Sequence, residues 1–331
     1  MKKTLPVLLA IFICICIAGC GGKKKPGKDD SLIRMNTLLT DSMKVVYKDK
    51  IAFTFQETNF VYTDSLRTQI SDTLGIAEYI FVNSKFGIGG EQIKDYGKIS
   101  YIKNGKVCSG YVQPYDVTCA YVNSKKDSNV LYLANFTPID SNEHRVVIRY
   151  IQDHKMVDQL SLDTPYTNIT WIDLGLLDSV TLNGTNDILC VDSYYPACGY
   201  GSDFFYVDAN KGKFNLMLTT FSWFDAPVYA YEDVYFPASL NTSDRLYQFR
   251  DNTVVRDTSG IPCCYMIPAD IKEPYNQLVY VRNVESRDSI RNGKPVLDEY
   301  GETMYCDYMT EYSIYKWDGK KLALLKNQKF E

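Results

Sequence analysis

The sequence has little of what catalysis and metal binding usually require. It contains only two histidines, His144 and His154, in 331 residues, although imidazole is a common general base and a frequent zinc ligand. It also has no Cys-x-x-Cys pair, no Gly-x-Ser-x-Gly elbow and no phosphate-binding glycine loop. These absences argue against zinc chemistry, serine hydrolysis and nucleotide chemistry, and they predict a chain with no metal and no other cofactor.

Basic stripes and long apolar runs are scarce too. The formal net charge is −4, and apart from one short lysine-rich segment no basic stripe exists, which argues against a nucleic-acid partner. The apolar run from Leu5 to Ile17 is about 13 residues long, whereas a helix needs roughly 20 residues to span a bilayer. This run is therefore predicted not to be a transmembrane helix.

The first 20 residues have the pattern of a secretory signal. Lys2 and Lys3 precede the apolar run, and small residues follow it. The segment Ile17-Ala-Gly-Cys20 resembles the lipobox of bacterial lipoproteins. This resemblance implies cleavage before Cys20, a diacylglycerol on its sulfur, a further palmitate-type acyl chain on the new amino terminus, and attachment to the outer membrane.

The sequence predicts three regions: a signal peptide over 1–19, a flexible tether over 20–30 and a β-rich domain over 31–331. The tether is expected to stay unfolded because residues 21–30 include no apolar side chain. Lys28-Asp29-Asp30 resembles the surface-export signal of some lipoproteins. A periplasmic linker is the alternative, so the side of the membrane stays open.

The body of the chain is predicted to be all-β. A leading amphipathic helix is expected near 31–50, and from Ile51 onward short β-type runs alternate with turn residues. An aromatic-led strand, a polar turn and a returning strand recur over 101–107, 149–157, 206–214, 247–254 and 315–322. Asn-Gly and Asp-Gly supply the positive φ of tight hairpins. The recurrence favours a propeller-like array of short antiparallel sheets over the alternative of two β-sandwich domains.

One stretch adds a family resemblance to this pattern. Residues 179–189, followed by 201–207, resemble a blade of FG-GAP/VCBS-type propellers, which place a calcium loop before an apolar strand. Asn183, Gly184 and Asp187 match the end of that loop. Ser179 and Thr181 stand where earlier oxygen ligands are needed. Since calcium takes six to eight oxygens, the loop is expected to keep the turn and lack the ion.

The cysteines are expected to be structural. Export permits disulfides, and the spacing makes Cys108–Cys119 and Cys190–Cys198 possible pairs. The vicinal pair Cys263-Cys264, together with Cys306, leaves one odd thiol. The sequence alone does not fix the connectivity.

The most suggestive stretch for ligand binding is 221–236. Its aromatic residues lie beside Asp225, Glu232 and Asp233, and Trp223 could stack on a sugar while the acids bond its hydroxyls. The plainer interpretation is a strand pair with aromatics facing the core. Two functions follow: a non-catalytic envelope module or scaffold for a glycan or a protein, or a carbohydrate-active hydrolase using acids near Trp223.

Replacing Cys20 tests the anchor. Cys20→Ala removes the acyl-acceptor thiol, so the protein should lose its fatty-acid label and leave the membrane fraction, because a peptide without acyl chains has no stable hold on the bilayer. Fractionation with labelled palmitate measures both effects, and Cys306→Ala is the matched control. Unchanged membrane retention of Cys20→Ala would contradict the lipoprotein interpretation.

Overall fold

The computed structural model describes residues 51–82, 97–138, 144–164, 171–177, 182–185, 187–195, 200–225, 227–236, 267–268 and 270–330. Strands dominate this part, which contains no α-helix, so the all-β prediction is confirmed. The predicted signal peptide, the tether and the helix near 31–50 lie outside the described residues. No helix in the described part is long and apolar enough to cross a membrane.

Two smaller sheets come first in the chain. The N-terminal sheet has the spatial order β1-β4-β5-β6-β2-β3; its strands are β1 (Ile51–Phe53), β2 (Asn59–Tyr62), β3 (Ile70–Leu74), β4 (Tyr79–Val82), β5 (Gly97–Lys103) and β6 (Lys106–Val112). The second sheet is an antiparallel meander of β7 (Ala120–Asn123), β8 (Val130–Pro138), β9 (His144–Gln152) and β10 (Lys155–Leu162).

The third sheet has eight strands. Its first half consists of β11 (Trp171–Leu176), β12 (Asp187–Tyr195), β13 (Tyr200–Asn210) and β14 (Lys213–Asp225). Its second half consists of β15 (Val228–Tyr235), β16 (Leu278–Asp288), β19 (Tyr305–Trp317) and β20 (Leu322–Lys329). Neighbours along the chain are neighbours in the sheet, and a small hairpin of β17 (Ile290–Arg291) and β18 (Lys294–Pro295) is inserted between β16 and β19.

The hairpins form where turn residues allow positive φ. Asn104 and Gly105 have φ of 52° and 75° between β5 and β6, and Lys211 and Gly212 have 51° and 75° between β13 and β14. Both central residues of such a two-residue turn must adopt the left-handed backbone conformation, which has a positive φ. The hairpins predicted over 101–107, 149–157, 206–214 and 315–322 are confirmed, and 247–254 lies outside the described residues.

The second sheet is buried on both faces. One face packs against the N-terminal sheet, where Leu133 and Ile151 meet Phe55. The other face packs against the first half of the eight-stranded sheet, where Tyr132 and its neighbours meet Phe205. Burying both faces of a sheet requires a layer on each side.

The two halves of the eight-stranded sheet also pack against each other. Ile188 of the first half shares a cluster with Val279, Val281 and Trp317 of the second half. Trp317 is only 1 % exposed, as expected for a core tryptophan. The four layers therefore stack in chain order, and the outer face of the last one is partly covered by Ile267 and Ile271.

A buried arginine joins the first two layers. Arg149 on β9 lies 4.2 Å from the centre of the Phe55 ring, and its guanidinium donates hydrogen bonds to the Phe55 carbonyl and the Gln56 side chain. Gln159 on β10 accepts from its Nε at 3.0 Å. Because each of these donors has a partner, the charge is buried without the large penalty of an unpaired one.

Gly110 provides a test of the packing in the N-terminal sheet. A Cβ at this position on β6 would collide with the Val61 side chain and lie 2.8 Å from the Tyr62 carbonyl oxygen. Gly110→Ala should therefore lower the free energy of unfolding in urea by about 1–3 kcal/mol. Gly175→Ala on β11 is the control, since its Cβ would meet no described heavy atom within 4 Å. Equal losses in the two variants would contradict the close approach of β2 and β6.

Candidate functional site

The stretch 221–236 forms the hairpin of β14 and β15. Ser222 pairs with Tyr231, Trp223 with Ala230, Phe224 with Tyr229 and Asp225 with Val228. Because side chains alternate along a strand and paired residues share a face, Trp223 and Phe224 lie on opposite faces. The aromatic side chains of this hairpin thus occupy both of its faces rather than only an inner one.

The first face of the hairpin carries Trp223. This residue is paired with Gly201 on one side and Ala230 on the other, so small neighbours leave the indole 38 % exposed. Phe221 and Val228 lie on the same face and are also exposed. This face presents large apolar groups that the fold itself does not cover.

Glu232 lies deeper on the face of Trp223 and is half-buried. Burial raises its pKa, the Glu311 carboxylate raises it further, and a hydrogen bond from the Phe221 backbone N–H lowers it. Glu311 in turn accepts from Asn327 and forms an ion pair with Lys329 at 3.6 Å. Both carboxylates thus have structural partners within the sheet.

The second face carries a row of rings. Phe224, Tyr229 and Tyr231 stack in that order, with neighbouring ring centres 6.1 and 6.0 Å apart. The two tyrosine hydroxyls donate to the two oxygens of Asp307 at 2.7 and 2.8 Å. Burial and these bonds raise the pKa of both hydroxyls, so they remain donors at neutral pH and hold the rings in place.

The structure places three of the four residues predicted to bind a ligand on one face of the hairpin and the fourth on the other. Trp223, Asp225 and Glu232 share a face. Asp233 points to the opposite face, where Arg282 donates to its carboxylate at 2.7 and 3.0 Å. Asp233 is therefore an ion-pair partner within the sheet, and the expected grouping of all three acids beside Trp223 is not present.

A second projection lies at the same end of the sheet. Residues 289–304, here called the arm, leave the sheet after β16 and return into β19, and Ser289 and Met304 are joined by a backbone hydrogen bond of 2.8 Å. The arm exposes Leu297 (55 %), Tyr300 (82 %) and Met304 (47 %). Asp298 accepts from two backbone N–H groups of the arm, which fixes its turn.

Together the hairpin tip and the arm form what we call the aromatic end. Its exposed large side chains are Phe221, Trp223, Phe224, Val228, Leu297, Tyr300, Met304 and Tyr305. Acidic residues outnumber basic ones around them: Asp225, Glu285, Asp288, Asp298, Glu299, Glu302 and Asp307 against Arg287, Arg291 and Lys294. The sequence prediction missed the arm and Asp307, and the Asn292-Gly293 turn was the only local hint of a projecting hairpin.

The loop with the calcium-type pattern keeps the turn. Asn183 and Gly184 form it, with Gly184 at a φ of +82°. Asp187 opens β12 and accepts a hydrogen bond from the buried Tyr132 hydroxyl at 2.8 Å, so its carboxylate connects two sheets. Ser179 and Thr181 lie outside the described residues.

The described cysteines are free thiols. Cys108 lies on β6, whereas Cys119 precedes the second sheet and donates to Asn135 at 2.9 Å, so the disulfide suggested by their spacing is not formed. Burial raises the pKa of the Cys119 thiol to about 12, which makes it unreactive. Cys190 is also free, and Cys198 lies outside the described residues, as do Cys263 and Cys264.

Two carboxyl groups lie inside the first half of the eight-stranded sheet. Burial, with the charge of Asp192 as a second cause, raises the pKa of Asp203 to about 6. Burial likewise raises the pKa of Asp192 to about 6, although a hydrogen bond from Ser202 acts in the other direction. Asp203 is 5 % exposed, and its Oδ2 has no hydrogen-bond partner among the described residues.

Neither a metal constellation nor a relative identifies the function. Among the described residues, no group of three or more histidine, cysteine or acidic side chains is placed to hold a metal ion. No protein-family model matches the chain, and no curated protein matches it.

The raised pKa values make stability depend on pH. Asp203 and Asp192 favour the protonated form in the folded state. Their contribution to the free energy of unfolding is therefore fully present below a pH of about 4 and is lost as the pH rises through about 6. We expect a lower free energy of unfolding at about pH 8 than at about pH 5, and Asp203→Asn should remove roughly 1–2 kcal/mol of that difference. Urea unfolding at the two pH values measures it.

Asp225→Asn is the control for this experiment, because Asp225 is exposed at the hairpin tip. It should leave the pH dependence as it is in the parent chain. An Asp203→Asn variant with an unchanged pH dependence would show that Asp203 is ionised without cost in the folded protein.

Proposed function

We propose that this chain is a lipid-anchored envelope protein that acts as a non-catalytic binding module, and that its aromatic end docks a protein partner. One observation carries the proposal. Half of the exposed large hydrophobic side chains in the described residues, eight of sixteen, belong to the aromatic end. A concentration of exposed large apolar side chains at one end of a protein is typical of a binding surface.

The shape of the aromatic end favours a protein over a glycan. Tyr, Trp, Phe and Met are the side chains enriched at protein interfaces, and here two projections present them. The rings of Phe224, Tyr229 and Tyr231 stack on one another, so each covers part of its neighbour's face. A sugar needs an open ring face, which leaves Trp223 as the best candidate for stacking.

The charge around the aromatic end indicates the chemistry of the partner. The seven acidic and three basic side chains named above lie on the same strand ends and arm as the exposed apolar groups. Complementary potentials steer association and suppress wrong partners. The proposed partner is therefore an envelope protein with an apolar cleft bordered by basic residues.

The alternative function, a carbohydrate-active hydrolase, receives support from Glu232. Its raised pKa is suitable for a general acid, and Glu311 supplies a second carboxylate. Against it, the Glu232 carboxylate accepts from the Phe221 backbone and Glu311 is held by Asn327 and Lys329. These bonds give both acids a structural role, so the binding function is preferred.

The stacking of the layers supports the proposed propeller-like array. Each layer is mostly a meander of neighbouring strands, and each packs face to face on the layer before it. Blades of a propeller have the same relation to their neighbours. In the proposed protein the lipid on Cys20 and the tether hold this array at the membrane.

Site-specific photo-crosslinking in cells tests the docking surface. A photoreactive phenylalanine at Tyr300 and another at Trp223 should both capture the same envelope protein, whereas one at Leu324, exposed on β20 away from the aromatic end, should not. With the captured protein purified, Trp223→Ala in the full chain should weaken binding by roughly tenfold or more, as for a buried aromatic anchor. Calorimetry measures this affinity.

Leu324→Ala is the matched control, and its affinity should equal that of the parent chain. The affinity should also fall with added salt, because the acidic border contributes to it. Capture of different proteins from the two positions, or a glycan bound through Trp223 in place of a protein, would overturn the proposal. Sugar hydrolysis that is lost in Glu232→Gln would establish the alternative function.

A further inference from the structure

A polar pocket lies between the second sheet and the first half of the eight-stranded sheet. It has a volume of about 130 Å³, which leaves room for roughly four water molecules. The β7–β8 turn and the β13–β14 turn form its sides, and Asp187 at the start of β12 contributes to its lining. The pocket is at the far end of β14 from the aromatic end and does not depend on it.

The floor of the pocket is buried and rigid. Tyr132, Tyr150 and Asp187 are 1 %, 5 % and 7 % exposed, and all three line the pocket. The two tyrosine rings meet edge to face with their centres 5.2 Å apart, and the Tyr132 hydroxyl donates to Asp187 Oδ2 at 2.8 Å. A site of this kind is already formed before a ligand arrives, which lowers the entropic cost of binding.

Several polar groups of the pocket have no partner in the protein. Within the described residues, no hydrogen bond reaches Asp187 Oδ1, the Tyr150 hydroxyl or the Gln152 side chain. These atoms face the open pocket and are not sealed in the core, and a few convergent polar groups in a concave site are the usual mark of a ligand site. A carboxylate oxygen, a phenol and an amide together suit a ligand with several hydroxyl groups.

The β7–β8 and β13–β14 turns bring two lysines and one acid, Asp127, to the lining of the pocket. The Asp127 carboxylate accepts a hydrogen bond from the Asn129 backbone N–H at 2.9 Å, which holds it in its own turn. Lys126 and Lys211 both line the pocket and are exposed. The Lys126 ammonium donates to the Thr185 carbonyl at 3.2 Å and keeps further donors, and Lys211 forms no ion pair with any described residue. Lys213, two positions further along, is paired with Asp158 at 3.4 Å instead. Lys126 and Lys211 are therefore available to an anionic group.

We propose that this pocket binds an acidic monosaccharide, that is, a sugar carrying a carboxylate. Its hydroxyls bond to Asp187, Tyr150 and Gln152, its C–H face lies on the tyrosine floor, and its carboxylate meets Lys126 and Lys211. Each unpartnered group of the pocket then has a partner of suitable chemistry. The pocket takes one face of a single sugar unit, either a free uronic acid or the last residue of an acidic glycan, and leaves the other face in solvent.

Other small ligands match the pocket less well. A free amino acid would place its ammonium on Asp187 but offers no hydroxyls for Gln152 and Tyr150. Inorganic phosphate would satisfy the lysines but has no C–H face to lie on the tyrosine rings. A neutral sugar would use the floor and leave both lysines without an anion, so its affinity should be lower.

Titration calorimetry of the full chain in detergent tests the site. Glucuronate and galacturonate should bind, and glucose and galactose should bind about tenfold more weakly, because they lack a charge-assisted bond. Lys211→Met should weaken uronate binding about tenfold and leave neutral-sugar binding unchanged. Lys213→Met is the matched control and should behave as the parent chain does.

The floor is tested by Gln152→Met, which keeps the size of the side chain and removes its hydrogen-bonding groups. This variant should lower the affinity for acidic and neutral sugars alike. Asp187→Asn should have the same effect, provided that thermal unfolding shows that the variant still folds. Three results would overturn the proposal: no uronate binding at concentrations on the order of 10 mM, phosphate or a free amino acid binding as well as uronate, or equal effects of Lys211→Met and Lys213→Met.

Discussion

Apolar side chains on both faces of the second sheet are the constraint on which the rest of the architecture depends. Leu133 on one face and Tyr132 on the other are each 1 % exposed or less, and consecutive residues of a strand cannot both be covered by one layer. The sheet must lie between two others, and the first half of the eight-stranded sheet repeats the arrangement. The stacking of layers follows from this two-sided burial rather than from any single contact.

Local features of the fold could be predicted from the sequence, and long-range ones could not. Turns such as Asn104-Gly105 are determined by the backbone preferences of adjacent residues, so the hairpins were found. Neighbouring residues of a strand point to opposite faces, so alternation alone would have separated Glu232 from Asp233. The prediction grouped the acids by their closeness in the sequence and did not use this alternation. By contrast, the pairing of Tyr229 with Asp307 joins residues far apart in the chain and depends on the order of strands in the sheet. The disulfide expected for Cys108 and Cys119 is absent for the same reason. The two cysteines are close in the sequence, but a boundary between two sheets lies between them.

The two proposed sites lie at opposite ends of β14. This strand is 13 residues long, which separates its ends by roughly 40 Å. One end presents apolar side chains on projecting hairpins, and the other offers a small polar cavity between turns. Such a division suits a protein that contacts one partner with its surface and holds a small ligand in its interior, both positioned by rigid strands.

The hairpin of β14 and β15 belongs to two layers at once. Its strands pair with each other over only four residue pairs, after which each strand continues into a different half of the eight-stranded sheet. The hairpin therefore connects the two neighbouring layers, and a partner bound at its tip would contact strands of both. Because this hairpin is shared by both layers, the binding of such a partner would be coupled to any separation of those layers.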